Sequence, residues 1–112
     1  MEMLDLFKKK TKHYRDIEPR EFNELQEKGG VVLDVRAPKE LSEGFVPGYE
    51  LIDFLDSGFS KKIAQLDREK TYLVYCRSGN RSGKACAMMK EMGFREVYNL
   101  DGGIRAWNKY FK

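Results

Sequence analysis

The chain has 112 residues, enough for one compact domain and too few for two. Hydrophobic residues make up 41% and charged residues 35%, which allows a buried core and excludes a disordered polyelectrolyte. The formal net charge is only +3, and no apolar run approaches the roughly 20 residues a bilayer-spanning helix needs, so a cytoplasmic protein with no membrane partner is expected.

Residues 1–13 read as a basic leader, and residues 14–112 as the domain. Lys8-Lys9-Lys10 and Lys12 gather positive charge in the leader, but aromatic side chains do not alternate with them as a single-strand binder would require. A solvated face is therefore expected, with no nucleic-acid partner. Met1 to Phe7 is too short and too acidic to act as a secretory signal. Tyr14 to Ile17 predicts a short strand. Pro19 then suits the first turn of a helix whose Phe22 and Leu25 face a core, and Gly29-Gly30 stops it. Val31 to Val35 is nearly continuous apolar sequence, the pattern of a strand covered on both faces. Pro38 predicts a short helix closed by Gly44, and Pro47-Gly48 predicts a turn. Tyr49 to Phe54 reads as a further strand, and Ser57 or Ser60 as the cap of a helix carrying Ile63 and Leu66.

Thr71 to Tyr75 is the central strand, and Cys76 ends it. The loop Arg77-Ser78-Gly79-Asn80-Arg81 follows, and Ser82 opens a segment in which Ala85, Cys86, Met88, Met89 and Met92 recur at helical spacing up to Gly93. Glu96 to Tyr98 predicts a last strand, Asp101-Gly102-Gly103 a tight turn, and Ile104, Trp107 and Tyr110 one face of a closing helix. Alternating short strands and helices predict a parallel α/β sheet covered on both sides.

A cysteine at the carboxyl end of a parallel strand, facing a helix amino terminus, stands where open α/β sheets bind ligands. Free N–H groups, the positive end of the helix and the charges of Arg77 and Arg81 all favour an anion there, so Cys76 is expected to ionise below the ordinary thiol range. Cys86, among alanine and methionines, reads as a core residue rather than a resolving thiol. Two cysteines and one distant histidine cannot assemble a zinc site, so no metal is expected. The same histidine, His13, lies in the charged leader and is a poor partner for a cysteine–histidine pair. Asp34 and Arg36 end the second strand and read as a salt bridge anchoring the loop rather than as catalytic groups.

Several segments together resemble the single-domain rhodaneses, which are sulfurtransferases. They are Ile17 to Phe22, Leu33 to Glu40, Gly44 to Gly48, Tyr75 to Ser82, and Gly93-Phe94 through Gly102-Gly103-Ile104-Arg105-Ala106-Trp107. The resemblance implies a five-stranded parallel sheet with helices on both faces, and a cysteine that carries sulfane sulfur as a persulfide. Cys76 would take sulfur from a small anionic donor, thiosulfate or a persulfide, and pass it to a thiol, a protein acceptor or cyanide without a cofactor. The amides of Arg77, Ser78, Gly79, Asn80, Arg81 and Ser82 would hold the persulfide, with Arg77 steering the donor and Arg81 fixing the loop. The chain departs from the family at Phe45, where histidine is common, and at Tyr49, where a small residue is common. Two other readings compete with sulfur transfer. A cysteine phosphatase or arsenate reductase needs five residues between cysteine and arginine, whereas four separate Cys76 from Arg81. A non-catalytic binding module of the same fold would not need the cysteine or the loop glycine, and both are present.

Overall fold

The computed structural model describes residues 13–112, so the leader expected over residues 1–13 lies, apart from His13, outside the described residues. Five strands, β1 (Arg15–Ile17), β2 (Val31–Asp34), β3 (Glu50–Leu51), β4 (Thr71–Tyr75) and β5 (Glu96–Leu100), form one parallel sheet in the order β1-β5-β4-β2-β3. Helices α1 (Pro19–Glu27) and α4 (Gly103–Tyr110) cover one face, where Phe22, Ile104 and Trp107 close over Val32, Leu73 and Tyr75. On the other face α2 (Phe59–Ala64) and α3 (Asn80–Glu91) bring Phe59, Ile63, Ala85, Cys86 and Met89 against Leu33, Tyr72 and Val74. Because β2 and β4 are covered on both sides, their apolar runs show no alternation.

Several boundaries differ from the sequence expectation, each for a local reason. The strand expected over Tyr49–Phe54 shortens to Glu50–Leu51. The N–H groups of Ile52 and Phe54 still reach the carbonyls of Asp34 and Val35, but the Asp53 carboxylate takes the Leu55 N–H at 2.9 Å and turns the chain away. Gly58, rather than Ser57 or Ser60, stands at the start of α2. The helix expected from Ser82 begins at Asn80, and the Gly83 N–H donates to the Gly79 carbonyl at 3.0 Å as its first turn closes. On α4, Ile104 and Trp107 are buried but Tyr110 is 54% exposed. Six helical residues rotate about 600°, which carries Tyr110 well off the face of Ile104.

β2 leads outward to β3 on one side and β4 leads outward to β5 on the other, so the direction of winding reverses between β2 and β4. The carboxyl ends of these two strands therefore flank the crevice in which such sheets bind ligands. A 3₁₀ helix, Pro38–Glu43, follows β2 there, and the Cys76 loop follows β4.

Candidate active site

Cys76 is only 1% exposed, and three donors converge on its sulfur. The Gly79 N–H lies 3.2 Å from Sγ, and the N–H and hydroxyl of Ser82 each lie 3.3 Å away. The loop achieves this because Gly79 adopts φ 103°, a left-handed conformation that turns the chain directly into α3. Burial alone would push the thiol up. The hydrogen bonds from the Ser82 hydroxyl and N–H and from the Gly79 and Ser78 N–H groups outweigh it, and Cys76 titrates below its ordinary value.

The loop carbonyls are turned away from the sulfur. The first amides of α4 take them: Ile104 N–H donates to the Cys76 carbonyl at 2.9 Å, and Arg105 N–H to the Arg77 carbonyl at 3.4 Å. Gly103 sits at φ 62° directly against these carbonyls, where a Cβ would overlap them. The Gly79 carbonyl accepts from Asn99 Nδ2 at 3.1 Å, and the same Nδ2 donates to Asp16 at 3.0 Å, tying the loop to β5 and β1.

Neither arginine donates to the sulfur, although the charge of Arg81, whose main partner is Glu40, is also felt at Cys76. Arg81 makes a two-pronged ion pair with Glu40, at 2.9 and 2.8 Å, and Arg77 Nε lies 3.2 Å from Glu43. Both carboxylates come from the 3₁₀ helix. Of the predicted site residues, Gly79 and Ser82 thus reach the Cys76 sulfur through amide or hydroxyl groups, and the Ser78 N–H adds a smaller contribution. Arg77 and Arg81 pair across the crevice. Asn80 opens α3 and, with Asp16, Lys84, Asn99 and Asp101, lines a cavity of about 330 Å³ on the β1–β5 side of the loop.

Beneath the 3₁₀ helix lies a buried polar cluster. Asp34 accepts from the Arg36 guanidinium at 2.7 and 2.9 Å and from the Tyr75 hydroxyl at 2.6 Å, with both side chains of the ion pair fully buried. Arg36 also donates to the carbonyls of Glu40 and Gly44, one within the 3₁₀ helix and one just after it. Burial and its bond to Asp34 push the Tyr75 hydroxyl well up, so it stays a neutral donor. Asp34 and Arg36 therefore anchor the segment that follows β2, a structural role as the sequence implied.

Sequence reasoning gave no role to Glu40, Glu43, Tyr75 or Asn99, and read Gly103 only as part of a turn. The i, i+3 spacing of Glu40 and Glu43 after Pro38 was the available signal, since a 3₁₀ helix stacks such positions on one side.

The Rhodanese-like domain model matches residues 18–110. This chain belongs to the rhodanese-like domain family. Thiosulfate sulfurtransferase GlpE of Ectopseudomonas mendocina is 34% identical over 98 residues, 88% of each chain. Among solved structures, a rhodanese-related protein from Thermoplasma volcanium superimposes with a TM-score of 0.76 at 35% identity, covering 87% of this chain and 93% of that one. The polysulfide-sulfur transferase of Wolinella succinogenes gives a TM-score of 0.74 at 26% identity, covering 88% and 75%. The rhodanese-like sheet, with five parallel strands and helices on both faces, is the fold the sequence resemblance implied.

Proposed function

We propose that this chain is a sulfurtransferase that carries sulfane sulfur as a persulfide on Cys76. Relatives named thiosulfate sulfurtransferase support the class of enzyme. The convergence of three donors on one sulfur atom supports the carrier. With thiosulfate as donor, the Cys76 thiolate attacks the outer sulfur. A Cys76–S bond forms, the bond between the two sulfurs of thiosulfate breaks, and sulfite leaves with the electron pair. The persulfide sulfur then passes to an acceptor thiolate or to cyanide, restoring the Cys76 thiolate.

No proton has to be supplied in the first step, which suits a site built from amides and one hydroxyl. The thiol is almost enclosed, so the reacting sulfur must arrive at the end of a slim group, as it does in thiosulfate or a persulfide. Amides on the inner sulfur favour the anionic nucleophile and, afterwards, a charged persulfide.

The test is intact mass. Incubation with thiosulfate should add the mass of one sulfur atom, and cyanide should remove it as thiocyanate. Cys76→Ser should take up no sulfur. Uptake by Cys76→Ser, or none by the unaltered protein with thiosulfate or an alkyl persulfide, would overturn the reading.

A further inference from the structure

Both guanidinium groups beside the proposed sulfur site already face carboxylates. Arg77 and Arg81 stand at i and i+4, and Glu40 and Glu43 oppose them at i and i+3 across the crevice. The inner pair is the more enclosed, with Arg81 27% and Glu40 15% exposed, and beyond Glu40 the charges of Cys76 and Asp53 also reach Arg81. In the outer pair Arg77 is 52% and Glu43 46% exposed, which places both at the solvent rim. The Glu43 backbone is fixed as well, because its carbonyl accepts from Asn108 Nδ2 on α4 at 3.0 Å. An arginine free of such a partner would draw in a dianion, whereas the rim of this site presents a matched pair.

Resting on the sulfur-transfer reading above, we propose that Glu43 is a specificity-determining residue that disfavours dianionic thiosulfate relative to a persulfide carrying at most one charge. Glu43 holds Arg77 in an ion pair and adds its own negative charge to the path a donor takes. A dianion meets twice the repulsion of a monoanion and must compete with Glu43 for the guanidinium. With an alkyl persulfide the Cys76 thiolate attacks the terminal sulfur, a Cys76–S bond forms, and the alkyl thiolate leaves with the electron pair of the broken S–S bond. That step asks for no second positive charge at the rim. The contribution is electrostatic, so it acts on capture of the donor and not on the chemical step.

Glu43→Gln tests this directly, with thiosulfate and hydroxyethyl persulfide as the two donors. At low salt the KM for thiosulfate should fall about three- to tenfold with kcat unchanged, while the KM for the persulfide moves by a smaller factor. The gain should shrink in about 1 M salt, where the Debye length is about 3 Å. Glu69→Gln, which makes the same change in net charge in the exposed pair with Arg95, should leave both values alone. An unchanged or raised thiosulfate KM in Glu43→Gln would overturn the proposal, as would an equal fall for both donors or the same fall in Glu69→Gln. Absence of transfer from either donor in the unaltered protein would instead overturn the underlying reading and this proposal with it.

Discussion

Cys76 and Cys86 share one apolar cluster and are both almost fully buried, yet their thiols titrate in opposite directions. Burial pushes Cys86 well up, and the charges of Asp16 and Cys76 add to it, so it stays a protonated core side chain. Cys76 meets the same burial, but hydrogen-bond donors aimed at its sulfur reverse the outcome. Ser82 matters most, since it supplies both a hydroxyl and an N–H. Ser82→Ala should therefore raise the Cys76 pKa and slow its alkylation by about tenfold at pH values below that pKa, given about 1.5 kcal/mol for a hydrogen bond to a charged group. In the proposed transfer the reactive form is the thiolate, so sulfur uptake should be present above the Cys76 pKa and lost as pH falls through it. In Ser82→Ala that limb should move to higher pH. An unshifted alkylation profile would show that the hydroxyl does not hold the anion. Cys86→Ala should keep sulfur uptake and cost only about 1 kcal/mol of stability, measured by urea unfolding.

The 3₁₀ helix between β2 and β3 makes much of the site without touching the sulfur. Arg36 grips its backbone from below, and Glu40 reaches from it to Arg81 in the first turn of α3. The bond to Arg81 lowers the Glu40 carboxyl to about 2, against the opposing effect of burial. An unfolded glutamate titrates near 4.3, so this stabilisation is fully present above that pH and is lost as pH falls from about 4.3 to about 2. Glu40→Gln should cost about 1–2 kcal/mol at neutral pH, at the lower end because Arg81 is partly open to solvent. The deficit should shrink on acidification through that window. An equal deficit at pH 7 and in strong acid would mean that the ion pair is not its source.

The pattern of what the sequence disclosed follows from this arrangement. Strands β2 and β4 and the Cys76 loop were legible because long apolar runs and a glycine beside a cysteine are local signals. The start of α2 after Gly58 rests on backbone conformation rather than on a capping side chain, and the start of α3 at Asn80 on the left-handed φ of Gly79. The pairing of Arg77 and Arg81 with glutamates was not legible, because it joins residues more than thirty positions apart that meet only when β2 and β4 lie side by side. Read alone, two arginines beside a cysteine suggested free positive charge.

At the scale of the whole molecule, the loop is held by elements from nearly the full length of the domain. β1 contributes Asp16 through Asn99, the segment after β2 contributes Glu40 and Glu43, and α4 closes over the Cys76 and Arg77 carbonyls. The last contact is the most demanding, because a peptide group presents both an N–H and a carbonyl. The loop can aim amides at the sulfur only if its carbonyls find donors elsewhere, and an unpaired buried carbonyl costs about 1–3 kcal/mol. The N-terminal amides of α4 supply those donors, and Gly103 permits the approach by having no side chain. Gly103→Ala should disrupt this in two ways. A non-glycine residue at φ 62° costs about 1–2 kcal/mol, and its methyl would collide with backbone carbonyls rather than with a flexible side chain. Either the helix or the loop has to move, so stability should fall by at least about 2 kcal/mol in urea unfolding. If the loop moves, the amides lose their aim at Sγ and the Cys76 titration shifts up towards that of an ordinary thiol. Ala106→Gly, one turn further along α4, serves as the control for a change in the helix alone: it should cost about 1 kcal/mol and leave the thiol titration in place. A folded Gly103→Ala protein with unaltered stability and thiol titration would show that α4 does not set the loop.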